Sequence, residues 1–171
     1  MIFRFRIILD ATEDVFRDIE IEEEATFEDF SNAITQAFGF DGMEMASFYT
    51  SDDDWNQGEE ISQFDMGDGD NPILLMNETT LDSIFSEDQT RMIYVYDFLN
   101  MWTFLIELAE IAEPMNGILY PNLLFSHGIL PDSAPDKQFE ADEDEDPYGF
   151  DDDDDLDIND YDSLNFDENW N

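Results

Sequence analysis

MIFRFRIILDATEDVFRDIEI (residues 1–21) alternates apolar and polar side chains in two runs. Over residues 2–9, Phe3, Phe5, Ile7 and Leu9 fall on one face of an extended chain. Ile2, Arg4, Arg6 and Ile8 fall on the other, which is the period-two pattern of a strand. Asp10–Asp14 is a polar turn, and residues 15–21 alternate again, with Val15, Arg17, Ile19 and Ile21 against Phe16, Asp18 and Glu20. Two such runs joined by a short polar turn predict a β-hairpin. If the register allows it, Arg4 and Arg6 pair across the strands with Asp18 and Glu20, each exposed pair contributing at most about 1 kcal/mol.

Beyond the hairpin, Thr26 reads as a helix N-cap, with Asp29 in the position of a capping box. Phe27, Phe30, Ile34, Ala37 and Phe38 form an apolar stripe at helical spacing, and Gly39 ends the helix. Met45–Tyr49 reads as a third strand. Residues 51–72 read as an acidic loop containing Gly58, Gly67, Gly69 and Pro72, and Ile73–Met76 as a short strand. Thr80 then caps a second short helix through Leu81, Ile84 and Phe85. Arg91–Phe98 and Trp102–Ala109 form a last hairpin turned by Leu99, Asn100 and Met101. The expected fold class is α+β: a mixed or antiparallel sheet with two helices packed on one face, in the order ββαβ(β)αββ. Residues 1–113 would form the domain. Residues 114–137, punctuated by Pro114, Gly117, Pro121, Gly128, Pro131 and Pro135, would form an irregular connector packing on it, with one apolar patch at Ile118–Phe125. From residue 138 the composition predicts an acidic flexible tail.

Charge narrows the function. The 171 residues include 46 acids and five bases, for a formal net charge of −41. Residues 138–171 hold 16 of those acids and no base, so residues 1–137 carry the other 30 with all five bases, a net −25. Nucleic-acid binding draws its free energy largely from Lys and Arg displacing counterions. Arg4, Arg6, Arg17, Arg91 and Lys137 are too few, so neither nucleic acid nor an anionic membrane is an expected partner. A basic protein is, together with weak, non-specific divalent cations. The 16 Phe and 42% apolar content nonetheless require a folded core. With no Cys, disulfides, zinc–thiolate sites and Cys nucleophiles are excluded. No secretion signal or membrane span is visible, so the expected compartment is the cytoplasm.

No constellation points to catalysis. His127, the single imidazole, stands between Ser126 and Gly128, and sequence neighbours rarely have triad geometry, so it reads as a surface or turn residue. Asp52, Asp54 and Asn56 sit at calcium-loop spacing. Gln57 occupies the required Gly position and Gln63 the closing Glu, so the EF-hand template fails. Asp151–Asp162 fails likewise, with Leu156 at the Gly position. Gly67 and Gly69 lack the Lys and helix of a phosphate loop. Tyr94, Tyr96, Phe98, Trp102 and Phe104, at period-two spacing, read as core rather than as a binding face. Asp97 and Glu107 read as structural polar groups, with Arg17 and Arg91 as candidate partners. No catalytic, cofactor or metal residue is assigned.

Several stretches carry a resemblance. Phe16-Arg17-Asp18-Ile19, Ala25-Thr-Phe-Glu-Asp-Phe30, Ala37-Phe38-Gly39-Phe40 and Tyr94-Val-Tyr-Asp97-Phe98, followed by Trp102 and Glu107, occur in this order. Over residues 1–113 the chain resembles the bacterial family named after the third open reading frame of the pRi agropine plasmid. Members are often labelled transposon-resolvase-like passenger proteins. The resemblance marks Arg17, Phe38, Gly39, Tyr96, Asp97, Trp102 and Glu107 as motif positions. It brings no established activity. Where the family usually has histidines, this chain has Ser31, Glu44 and Phe104, and Leu99-Asn100 replaces a Gly-Asp pair, so any imidazole site of the family is lacking here. The resolvase label is excluded physically: phosphoryl transfer and DNA binding need a surplus of cations that the chain does not have. The expectation is an uncharacterised, mobile-element-associated protein that works as a non-enzymatic interaction module. The alternatives are an acidic DNA mimic that occupies a basic groove and a carboxylate–metal hydrolase.

Overall fold

The computed structural model describes residues 1–65 and 73–135. Its organising strand is β1 (Ile2–Leu9), paired antiparallel on one side with β2 (Phe16–Glu22) and on the other with β7 (Trp102–Ala112). The remaining strands are β3 (Ala46–Ser51), β4 (Gln57–Ser62), β5 (Leu74–Leu75), β6 (Arg91–Tyr96) and β8 (Asn122–His127). Together they make one eight-stranded sheet in the order β5-β4-β3-β6-β7-β1-β2-β8. The β4–β5 pair is parallel and every other pair antiparallel.

One α-helix, α1 (Phe27–Phe38), covers the apolar side of this sheet. The Thr26 hydroxyl accepts from the Asp29 N–H at 3.1 Å, and the Asp29 carboxylate accepts from the Thr26 N–H at 3.2 Å, completing the capping box. Gly39 stands in the left-handed region at φ +90° and closes the C-terminus. The helix packs its aromatic stripe directly on strand aromatics. The Phe30 ring lies 4.5 Å from Phe5 and 5.6 Å from Phe48, and the Phe38 ring lies 4.6 Å from Phe104. Burial of these large rings, with Ile7, Ile34, Phe85 and Ile106, supplies the core.

The expected opening hairpin forms, and its register sets Arg4 opposite Glu20 and Arg6 opposite Asp18. The two-helix expectation is wrong: the fold is largely β. The segment after Thr80 makes only a three-residue 3₁₀ turn, Leu81–Ser83. Its backbone is already committed elsewhere, because the Leu81 N–H donates to Ala25 O and the Asp82 N–H to Glu23 O, each at 2.9 Å. The Thr80 hydroxyl donates to the Asp82 carboxylate instead of accepting from a helix N–H. So short a segment cannot nucleate a helix against those tertiary bonds.

Two stretches lacking the expected signals supply strands. Strand β4 lies within the acidic 51–72 stretch and buries only Ile61. Strand β8 lies within 114–137, bounded by the cis Tyr120–Pro121 bond and by Gly128 at φ +83°. Residues 66–72 and 136–171 are outside the described residues, and with them the expected acidic tail, Lys137, Gly67, Gly69 and Asp151–Asp162. Among the described residues no helix is long and apolar enough to cross a membrane.

Candidate interaction surface

Arg17 sits at the junction of β2, α1 and β8. It is a helix-facing position of β2, and its side chain is buried. Nε donates to Ala37 O at 3.1 Å, and Nη1 donates to Phe16 O at 2.8 Å and His127 O at 2.9 Å. The guanidinium also lies 4.8 Å over the Phe38 ring. Burial pulls its pKa below the usual arginine value. The carboxylates expected as its partners are replaced by these three carbonyls.

The motif positions beyond it continue as one packed run. Gly39 donates to Thr35 O at 3.0 Å, which turns the chain so that Phe40 reaches Tyr96 at 4.6 Å and Trp102 at 5.1 Å. The Tyr96 hydroxyl donates to Asp41 Oδ1 at 3.0 Å. Of the positions where the resembled family has histidines, Ser31 bonds the Tyr94 hydroxyl at 2.6 Å, and Phe104 packs 6.1 Å from the Tyr94 ring. Burial pushes the Tyr94 hydroxyl well above the ordinary tyrosine range.

Asp97 and Glu107 lie apart from this run. Asp97, at φ +65°, holds the β6–β7 turn by accepting from Asn100 Nδ2 at 2.6 Å and Leu99 N at 3.1 Å. The Asn100 bond leads the effects that draw its carboxyl below the usual carboxylate range. Glu107 pairs with Arg91 Nη2 at 3.5 Å, and the Arg91 guanidinium lies 4.9 Å from the Trp55 ring. Tyr94, Tyr96, Trp102 and Phe104 are core residues as expected, whereas Phe98 is 41% exposed at the turn.

The calcium-like loop has a different use. The Asp52 carboxylate accepts from Asp54 N, Asn56 N and Asn56 Nδ2, each at 2.9 Å. Its oxygens therefore shape a turn. Among the described residues no group of three or more His, Asp or Glu is placed to hold a metal ion. The His127 ring stacks on Phe16 at 5.1 Å, at the end of β8.

Composition sets the segment that bears β8 apart. Residues 114–131 contain no Asp, Glu, Lys or Arg. Within this run Leu123, Leu124 and Phe125 are each about half exposed, and Leu119 and Ile129 almost fully. Among the described residues β8 has one neighbour, β2, so its outer edge presents free backbone donors and acceptors. Between β8 and α1 run two adjoining cavities that share Ala33, Gln36 and Pro121. The first, about 260 Å³, is walled by Ile19, Ala37, Asn122 and Leu123. The second, about 410 Å³, adds Glu22, Asp29, Asn32 and Tyr120. The arrangement suits binding: a backbone edge, apolar walls, neutral amides and carboxylates. The Ile118–Phe125 patch is visible in the sequence, whereas the strand is not. The usable signal was an apolar Leu-Leu-Phe run between Pro121 and Gly128 in the midst of an acid-free stretch.

The charge around this surface is largely spoken for on the cationic side. Arg4 bonds Glu20 and Glu110, both at 2.6 Å, and Arg6 bonds Asp18 in bidentate fashion at 2.8 and 2.9 Å.

Comparison with known proteins places these observations. No curated protein matches the chain. A crystal structure of a protein of unknown function, MM3350 from Methanosarcina mazei Go1, superimposes with a TM-score of 0.67 at 21% identity, covering 78% of this chain and 75% of that one. It shares the fold. The family model described as plasmid pRiA4b ORF-3-like protein matches residues 1–133, which takes in the Arg17 junction, the Tyr96–Trp102 run and β8. The chain therefore belongs to the plasmid pRiA4b ORF-3-like family.

Proposed function

We propose that the protein is a non-enzymatic interaction module whose partner is a basic protein surface. The supporting observation is the disposition of its few cations. Among the described residues Arg4, Arg6 and Arg91 are bonded to carboxylates, and Arg17 is buried against carbonyls. None of these four is left to offset the remaining acids, so residues 1–137 meet their surroundings with a net charge of −25. A surface of one sign raises encounter rates with the opposite sign and repels its own. The apolar β8 edge then supplies what charge alone does not, a desolvated contact.

The test is binding of cytoplasmic proteins from the source cell to the full-length chain, followed by measurement with the purified partner. The reading expects a cationic partner whose affinity falls as salt rises, because screening shortens to about 10 Å at 0.1 M. A neutral or acidic partner held equally well in high salt contradicts it, as does turnover of a substrate by the purified chain. Displacement of the partner by duplex DNA would identify the contact as DNA mimicry.

A further inference from the structure

We infer that β8 is a docking edge for an extended segment of that basic partner, which adds to the sheet as a strand beyond β8. The inference rests on the basic-partner reading and specifies its surface. An exposed edge strand offers a row of main-chain donors and acceptors, and proteins normally blunt such edges with charge. Here the opposite holds. A chain with 46 acids places none at 114–131, and the middle of the strand is Leu123, Leu124 and Phe125, each about half exposed. Strand addition uses this combination: backbone bonds give affinity, and alternate side chains give selectivity.

Charge complementarity selects the occupant. Along the strip, Asp18 opposite Phe125 and Glu20 opposite Asn122 are neutralised by Arg6 and Arg4, and further carboxylates stand at both ends of it. At the Asn122 end, Glu22 and Asp29 wall the cavity of about 410 Å³. At the His127 end the hairpin turn bearing Glu13 and Asp14 comes close: a Cβ on Gly128 would press against the backbone oxygen of Asp14. The six residues of β8 span about 20 Å. The fitting ligand is thus an extended peptide with apolar side chains at its centre and Lys or Arg at each end, one cation reaching the Glu22–Asp29 cavity. A second copy fits worse. Antiparallel pairing of two β8 edges would bring the Glu22 end of one chain toward the acidic turn of the other.

The experiment uses the full chain and two synthetic peptides, Lys-Thr-Val-Thr-Val-Thr-Lys and its counterpart with Glu at both ends. Affinity is read by fluorescence anisotropy and position by amide hydrogen exchange. The expected result is binding of the Lys-flanked peptide, protection of amides at 122–127, and no comparable binding of the Glu-flanked one. Leu124→Asp, at a half-exposed position, should weaken the Lys-flanked peptide about tenfold, equivalent to about 1.4 kcal/mol. Glu22→Gln should weaken it about threefold and flatten its salt dependence. Equal binding of both peptides, protection confined to other strands, or no binding up to about 1 mM would overturn the inference. So would a dimer of the free chain that already protects β8. If the native basic partner binds with steep salt dependence and Leu124→Asp leaves it unchanged, the docking edge is refuted while the basic-partner reading stands. If no basic partner binds, that reading itself fails.

Discussion

Arg17 donates to the carbonyl of Ala37 at 3.1 Å, so a side chain of β2 closes the C-terminal end of helix α1. The same guanidinium holds His127 O, tying the end of β8 into the sheet. Helix carbonyls near a C-terminus lack intrahelical partners and carry negative partial charge, so a cation there satisfies both needs.

Arg17→Met keeps much of the apolar stem but strands three carbonyls. Buried acceptors left without a donor cost about 1–3 kcal/mol each, partly relieved by water at the sheet edge. We expect a loss of about 2–4 kcal/mol in urea unfolding. Arg17→Lys, with one compact ammonium in place of a fork, should recover less than half of it. Amides at 122–127 should exchange faster in both variants, because one anchor of β8 is gone. A stability change below about 0.5 kcal/mol would show that the junction does not hold the fold.

Gly39 isolates backbone strain from packing. Its φ is +90°, and a Cβ there would meet nothing within 4 Å. Gly39→Ala should therefore cost only the left-handed penalty, about 1 kcal/mol, and Gly39→Asn less. Thermal unfolding of the two variants checks the order. A larger loss for Asn than for Ala would contradict it.

Glu20 gives the fold an acid-sensitive bond to β8. Its carboxylate accepts from Arg4 Nε at 2.6 Å and Asn122 Nδ2 at 3.0 Å. Burial pushes its pKa up, but the hydrogen bonds from Asn122 and Arg4 and the charge of Arg4 together outweigh burial, leaving it below the usual glutamate value. With a lower pKa folded than unfolded, the unfolded chain takes up the proton first as pH falls. The stabilisation is present above the unfolded value and is lost as pH drops through the folded one. Glu20→Gln should cost about 1–3 kcal/mol at neutral pH, and the gap from the parent should close as the pH falls below the usual glutamate range. A gap that widens in acid would reverse the sign of this argument.

What was legible in the sequence follows from local signals that tertiary structure did not override. The alternation of Phe3–Leu9 and Val15–Ile21 marks the hairpin, and Thr26 with Asp29 marks the helix start. The late hairpin and its turn at Leu99-Asn100-Met101 were equally visible, because Tyr94, Tyr96, Trp102 and Phe104 alternate into the core. The second helix was misread because the Thr80 segment shows helical spacing while its N–H groups bond Ala25 and Glu23. Strand β4 was invisible, since Gln57, Gly58, Glu59 and Glu60 face solvent and only Ile61 reaches the core. Strand β8 was masked by the surrounding Pro and Gly, which here delimit a strand at the sheet edge. The partner of Arg17 was unreadable for a different reason: carbonyls leave no trace in side-chain sequence.

The decisive measurement is the salt dependence of the equilibrium dissociation constant between the full-length chain and its purified native partner. The expected partner is basic, of isoelectric point above about 9, and its affinity falls steadily with ionic strength. An affinity indifferent to salt, or tight capture of duplex DNA by the chain itself, would contradict it.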